Sequence, residues 1–436
     1  MNWLQRYRFR LYFRNSLWIL PAVSIPAALL TVSLLTSYER AIGSQATVSA
    51  ETVRAVMTMV AASTFTLVVL VSSAVLLAVQ LASAQLTPRI IALIYRNPQQ
   101  KLIFALFIFT FTFSCSVLAR IEDSAPRIAT YVAAYGFLAN LVLFILLIDR
   151  IGKMLRPSSA VRGVALMGRA AIRTVYPSLL QEEFAPPASL DAITDKNPGV
   201  LISEIDGAVL AFDLKGLVAL GQRYNCVIEL VPEVGQFIAS GDPLFRIHKG
   251  GDAIPHSSLR NSVAIGAERT LEQDPLFAFR ILVDIASKAL SPAINDPTTA
   301  VLAIDQIHHL LRDVGKRYLA EGREADRDGQ IRLVYRTPNW EDFVLLGTTE
   351  VRQYGRDSIQ VQRRLRAMLK DLVETLAPRR APVLQKELAL LATSSKRTFP
   401  DLDDQNLAEF GDLQGIGGSY DELSERQDRS APSVVA

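Results

Sequence analysis

Residues 60–84 read VAASTFTLVVLVSSAVLLAVQLASA. No side chain in this run is ionised, and it exceeds the ~20 mostly apolar residues that cross a ~30 Å hydrocarbon core. Three more stretches pass the same test: SLWILPAVSIPAALLTVSLLTS at 16–37, LIFALFIFTFTFSCSVLA at 102–119 and IATYVAAYGFLANLVLFILLI at 128–148. Residues 1–150 therefore read as a membrane α-helical domain of four transmembrane helices. The first stretch follows Arg6, Arg8, Arg10 and Arg14, as a signal peptide follows a basic segment. Its apolar part is longer than a signal core, and Pro21 and Pro26 interrupt it, so it reads as a retained span.

Charge between the spans sets an orientation. The N-terminal arm has four Arg and no acid, and the second connector has Arg89, Arg96 and Lys101 and no acid. After the fourth stretch come Arg150, Lys153, Arg156 and Arg162 against Asp149. The other connectors are balanced: Glu39 and Glu51 against Arg40 and Arg54, and Glu122 and Asp123 against Arg120 and Arg127. Lys and Arg stay on the cytoplasmic side. The expectation is a multi-pass protein of the inner (plasma) membrane, its lipid bilayer the first partner, with both termini cytoplasmic. Trp18, Tyr38 and Tyr131 sit near span ends, where aromatic rings favour the interface.

Proton-coupled carriers place Asp, Glu or His at membrane depth, and these apolar runs hold none. They do hold hydroxyls and one amide. Ser63, Thr66, Ser73 and Gln80 fall near one helical face, while Thr110 with Ser114, and Thr112 with Ser116, are i, i+4 pairs. Two readings fit: a polar pore lining, which four spans would need a homo-oligomer to enclose, or helix packing with cross-helix hydrogen bonds. In the connector, Thr87-Pro88 is a helix-start signal before the apolar, basic run RIIALIY. Arg89 and Arg96 either reach lipid phosphates from a segment lying on the membrane surface or snorkel from a plain turn.

The rest of the chain is expected to be a cytoplasmic α+β domain. Residues 151–197 read as a helical neck, broken near Pro177 and followed by the linker FAPPAS. Period-two runs with Gly207, Gly235 and Gly241 at turns mark a β-rich module over 198–250. Its DGAVLAFD and VGQFIASGDPLFRI pattern resembles the barrel-sandwich of biotinyl and lipoyl carrier domains. Lys215 sits in a helix start rather than at a hairpin tip, so neither biotin nor lipoate is expected.

Residues 251–400 read as mainly helical. Asp274-Pro275 and Asp296-Pro297 are one device used twice: Asp caps the first turn, and Pro loses no donor there. The first helix ends before Ser291-Pro292, because the residue before proline is pushed off α. The two helices form a hairpin. Asn295 and Asp296 either only shape its corner or also contact a ligand or subunit. The tail 401–436 has nine acids and two Arg with few large apolar residues, and reads as disordered or at most loosely docked.

Net charge is only +3, which does not suggest a nucleic-acid partner. Cys115 and Cys226 read as inert thiols, and His248, His256, His308 and His309 lack zinc-ligand spacing, so no metal or other cofactor is expected. Nothing in the chain reads as a nucleophile–base pair or a Gly-rich phosphate loop, so no enzymatic activity is expected.

QLTPR (85–89), LIFALFIFTFTFS (102–114), DGAVLAFD (206–213), DPLFAFRILVDIASKALSPAINDPTTAVLAID (274–305) and DLQGIGG (412–418) occur in this order. Through them the chain resembles the bacterial predicted-membrane-protein family labelled domain of unknown function 2254. The resemblance implies an integral inner-membrane protein with a large soluble domain. Two functions are compatible with these residues. One is a channel-like or ligand-gated permeation protein with a cytoplasmic sensing domain. The other is a non-conducting scaffold or sensor binding a partner or metabolite.

Overall fold

The computed structural model describes residues 2–42, 49–91, 96–121, 126–180, 198–250, 253–319 and 322–418. The chain forms two compact units: Phe9–Ala160, and Met1–Arg8 together with Val161–Ala436.

The first unit follows a short helix α1 (Trp3–Asn15) with α2 (Ile19–Ala41), α3 (Ala50–Gln85), α4 (Pro98–Leu118) and α5 (Arg127–Met154). These last four are long and apolar enough to cross a membrane. Their starts follow local chemistry. Ser49 accepts from the Thr52 amide, and Asn97 accepts from the Gln99 amide with Pro98 at the first turn. α5 has no side-chain cap of its own. Glu39, buried on α2, supplies one by accepting from the Ile128 and Ala129 amides. A carboxylate there also faces the positive end of the helix dipole.

Two apolar clusters fill this unit. One contains Val32, Met57, Phe113 and Ala133, and the other Val75, Phe104, Phe107 and Leu147. Along α3, α4 and α5, buried Thr64, Thr110 and Asn140 fall between the two. A Cβ on Gly136 would lie 3.4 Å from Thr110 Oγ1, an ordinary van der Waals contact, so α4 and α5 have room for an alanine at this level. Neither amide atom of Asn140 has a hydrogen-bond partner among the described residues.

In the second unit, α6 (Pro157–Val175) is an amphipathic helix burying Val161, Val164, Ala165 and Ile172. Next come β1 (Gly199–Ile202), β2 (Gly207–Phe212), α7 (Leu214–Arg223), β3 (Val227–Leu230), β4 (Phe237–Ile238), β5 (Pro243–His248), α8 (His256–Arg260) and β6 (Val263–Gly266). A helical layer begins with α9 (Pro275–Ala289) and α10 (Pro297–Gly315). The short pair β7 (Arg323–Ala325) and β8 (Ile331–Tyr335) precedes α11 (Trp340–Tyr354), α12 (Ile359–Thr375), α13 (Ala381–Thr398) and α14 (Leu402–Ala408).

The β module departs from the barrel-sandwich expectation. Its strands divide between two open sheets, ordered β1-β5-β3-β8-β7 and β4-β2-β6. The reason is long-range pairing: β3 bonds to β8 in parallel, with Ile228, Glu229 and Leu230 opposite Leu333, Val334 and Tyr335. Strands from beyond residue 320 take the edge that a self-contained module would have closed. What stands is an apolar four-helix unit plus a helical and mixed-sheet unit.

Both Asp-Pro devices form as read. Asp274 accepts from the Phe277 amide at 3.0 Å and Asp296 from the Thr299 amide at 3.0 Å. α9 is buried on more than one face, through Ala278, Phe279, Ile281, Leu282 and Ile285, because α10 and α11 both cover it. Its Arg280 pairs with Asp284 and makes a two-pronged bridge to Glu350 of α11 at 2.6 and 2.7 Å. Asn295 adopts φ 48°, the left-handed conformation asparagine tolerates, and that turn returns the chain to α10.

Residues 402–418 also differ from the disordered-tail expectation. The buried Asp412 carboxylate accepts from the amides of Gln414, Gly415 and Gly417 at 2.7–3.0 Å. Arg363 and Arg364 of α12 donate to carbonyls of Phe410, Asp412, Leu413 and Gly418. Composition marks this segment as solvated, but it is held by polar bonds rather than apolar burial. The remaining tail residues, 419–436, lie outside the described residues.

Candidate ligand-binding cavity

β3 and β8 are the only parallel pair among the described strands, and both end at the same edge of the five-stranded sheet. Beyond β3 the chain continues to Glu233. Beyond β8 it runs Arg336-Thr337-Pro338-Asn339 into α11. Asn339 starts that helix with a reciprocal capping box to Asp342, which fixes the loop's exit. A 710 Å³ cavity opens here, with Glu229, Glu233, Tyr335, Arg336 and Trp340 in its wall. The turn Pro378–Arg380 before α13 adds Arg379 and Arg380.

A second cavity of 610 Å³ shares Glu233, Arg323, Tyr335, Arg336 and Thr337 with the first. It extends past Tyr176, Lys215, Gln273, Asp274 and Glu324. The Tyr176 hydroxyl meets Thr337 Oγ1 at 3.1 Å, and the Tyr335 hydroxyl donates to Glu324 at 3.3 Å.

The electrostatics favour a negative guest in the first cavity. Arg323, Arg336, Arg379 and Arg380 line it against Glu229 and Glu233. Glu229 is engaged by Arg246 at 3.2 Å and by His248 at 3.0 Å. Burial raises the Glu233 carboxyl above its ordinary range, and nearby Asp342 and Asp274 push the same way. Burial likewise raises Glu324, and lifts the Tyr176 phenol to about 12. Burial, with Arg379 alongside, lowers Arg380 to about 10, which leaves it charged at neutral pH. Arg380 lies 5.2 Å over the Trp340 ring, and the Trp340 indole donates to its carbonyl at 3.0 Å. This stack makes a rigid, cationic wall.

The residues singled out in the sequence lie elsewhere. Thr66, Ser73 and Gln80 are exposed on α3 and Ser63 is half-buried, whereas Thr110 and Ser114 are buried inside the helical unit. Ser114 and Thr66 each donate to a carbonyl of their own helix, at 2.8 and 3.0 Å. The two sets are therefore not brought together within one chain. Arg89 is exposed in the turn Pro88–Ile90, and Arg96 donates to Asn15 at 2.9 Å. Residues 92–95 of the RIIALIY run lie outside the described residues. Asn295 and Asp296 do not line either cavity. The cavity residues left a faint trace in the sequence: RTPNW at 336–340 and APRRAP at 377–382 are basic, proline-marked helix starts. Which helix starts face one another is a tertiary fact. Among the described residues, no group of three or more His, Cys, Asp and Glu is placed to hold a metal ion.

Residues 14–371 match the family described as "Predicted membrane protein (DUF2254)". The chain belongs to this family. Relatives of the chain include the uncharacterized protein Rv1290c of Mycobacterium tuberculosis (strain H37Rv) and the uncharacterized protein Mb1321c of Mycobacterium bovis. Each is 25% identical over 449 residues, covering 97% of this chain and 83% of the relative. No solved structure matches the chain significantly. The match spans both the helical unit and the sheet that carries the cavity, so both parts belong to the DUF2254 domain.

Proposed function

We propose that this DUF2254 protein is a membrane-anchored receptor for a small anionic molecule. The observation that carries the reading is the arginine-lined cavity at the carboxyl ends of β3 and β8. In open sheets with parallel strands, ligands favour the crevice outside those ends. Arginine forks suit carboxylate or phosphate oxygens, and Trp340 and Tyr335 offer flat apolar surface to the rest of a guest. The surplus of Lys and Arg around residues 6–14, 89–101 and 150–162 supports an inner-membrane orientation with both termini cytoplasmic.

The test is calorimetric titration of the full chain in lipid nanodiscs with inorganic phosphate, pyrophosphate and citrate. Saturable binding of at least one anion is expected. Arg336→Ala should weaken it at least about 10-fold, the loss of one charge-assisted hydrogen bond. Absence of saturable heat with all three anions would sink the reading.

A second reading rests on a different observation. Thr66, Ser73 and Gln80 are exposed on one face of a spanning helix, where lipid offers them few partners. Homo-oligomerisation would cover that face, and a ring would line a shared path with it, as in a channel-like or ligand-gated permeation protein. Gln80→Leu should then change ion or solute flux in liposomes. Unchanged flux would leave the face a packing surface.

A further inference from the structure

The two cavities carry different charges on either side of a common wall. Arg379 and Arg380 line the first but not the second, whereas Asp274 and Glu324 line the second but not the first. Glu233 and Arg336 stand on the wall that both share. Lys215 also borders the second cavity, on its solvent-exposed side. Of the four carboxylates that line these cavities, three are engaged. Glu229 meets Arg246 and His248, Asp274 meets Arg269, and Glu324 accepts from the Tyr335 hydroxyl. The half-buried Glu233 side chain makes no hydrogen bond or ion pair among the described residues.

Arg269 and Arg336 attract Glu233, yet burial and the nearby Asp342 and Asp274 keep its carboxyl above the ordinary range. A partly buried carboxylate without a bonded partner is costly, and it repels a plain anion held by the neighbouring arginines. An ammonium group on that anion reverses both effects, because it supplies the counter-charge. The second cavity suits such a group on a further count. Tyr176, Phe212 and Tyr335 line it, with the Phe212 and Tyr335 rings 5.0 Å apart and tilted by 56°. The negative faces of aromatic rings attract ammonium ions.

Resting on the anion receptor proposed above, we infer that its ligand is a zwitterion whose anionic end lies among the arginines of the first cavity and whose ammonium end pairs with Glu233 beside the aromatic rings of the second. This narrows the ligand class from small anions to small aminocarboxylates, aminosulfonates and aminophosphonates. Glu233 becomes the specificity-determining residue, and its removal should act with opposite sign on plain anions and on zwitterions.

The experiment is calorimetric titration of the full chain in nanodiscs at one fixed, near-neutral pH. The probes are 2-aminoethanesulfonate and 3-aminopropanesulfonate, each compared with the alkanesulfonate in which methyl replaces the ammonium group, propanesulfonate and butanesulfonate. Every probe keeps the same sulfonate charge. At least one aminosulfonate should bind at least about 10-fold tighter than its alkyl counterpart, as one charge-assisted hydrogen bond allows. Glu233→Gln should erase that preference and, in the same protein, strengthen alkanesulfonate binding about 5-fold, because the repulsive charge is gone. Opposite changes in a single variant show that it remains folded. A preference that survives Glu233→Gln overturns the inference, as does equal weakening of both probe types, which makes Glu233 structural. Alkanesulfonates or phosphate binding to the native protein as tightly as the aminosulfonates also overturns it, and leaves the anion receptor standing. If neither the sulfonates nor phosphate, pyrophosphate and citrate give saturable heat, the receptor and its zwitterion fall together.

Discussion

Asp274 and Asp296 head the same local motif, yet they should not cost the same to remove. Asp296 is half-buried and serves its own helix, accepting from Thr299 N at 3.0 Å and from the Thr299 hydroxyl. Asp296→Ala loses a helix cap, which costs about 1 kcal/mol. Asp274 is buried and accepts from Phe277 N, and it also meets Arg269 Nε at 2.8 Å and Nη2 at 2.7 Å. Burial raises its carboxyl above the ordinary range in spite of Arg269, so the pair's own attraction does not exceed its desolvation. The cost of Asp274→Ala comes instead from the partners it strands. Breaking a buried pair from one side costs about 3–5 kcal/mol. The Arg269 side chain is 34% exposed, and solvent discounts that figure to about 1–2 kcal/mol. Adding the lost cap, Asp274→Ala should cost ~2–3 kcal/mol, about 1–2 more than Asp296→Ala. The assay is urea unfolding of the full chain in nanodiscs, with Trp3 and Trp18 replaced by Phe so that buried Trp340 alone reports. Losses equal within about 0.5 kcal/mol, the usual additivity error, would refute the reasoning. So would a larger loss from Asp296→Ala. An Arg269→Ala/Asp274→Ala double-mutant cycle should show a coupling above that same error.

Three further outcomes follow from the structure. Glu233 has a raised pKa and faces the arginine-lined cavity, so protonating it removes a repulsive charge: affinity for sulfate, an anion whose own charge stays constant near and below neutral pH, should rise as pH falls from neutral, by about 5-fold for a charge ~8 Å away in a partly solvated site. Glu233→Gln should raise affinity at neutral pH and flatten this dependence, and a calorimetric titration series that still follows pH in the variant would assign the effect to another group. Asp412→Ala strands three amides of the 412–418 loop, so limited proteolysis should cut this segment faster by at least about 10-fold, as expected when buried hydrogen bonds to a charge are lost. Glu39→Leu removes the cap that α5 lacks locally and should lower helical-unit stability by about 1–2 kcal/mol in detergent denaturation followed by circular dichroism, with Glu39→Gln falling between the two.

Several features were legible because their causes are local. The four apolar helices follow from run length, since hydrocarbon admits only backbones that satisfy themselves. The helix starts at Asp274-Pro275 and Asp296-Pro297 follow from side chains reaching amides three residues on. The open sheets were not legible, because β3 finds β8 about a hundred residues later and nothing in either strand names its partner. The order of residues 402–418 was hidden for a related reason. An acidic, glycine-containing segment looks solvated until Arg363 and Arg364 of another element bond to its carbonyls.

By itself the sequence determined the membrane-spanning character, the family and the punctuation of the helices, since run length, motif order and capping act within one turn or one span. Only the tertiary structure decided that Asp274 is buried against Arg269 while Asp296 is not, that Thr110 faces inward while Gln80 faces outward, and that RTPNW and the Pro378–Arg380 turn share one cavity. Each of these depends on which surfaces meet, and that choice is made by burial and pairing summed over distant segments rather than by any residue's neighbours in the chain.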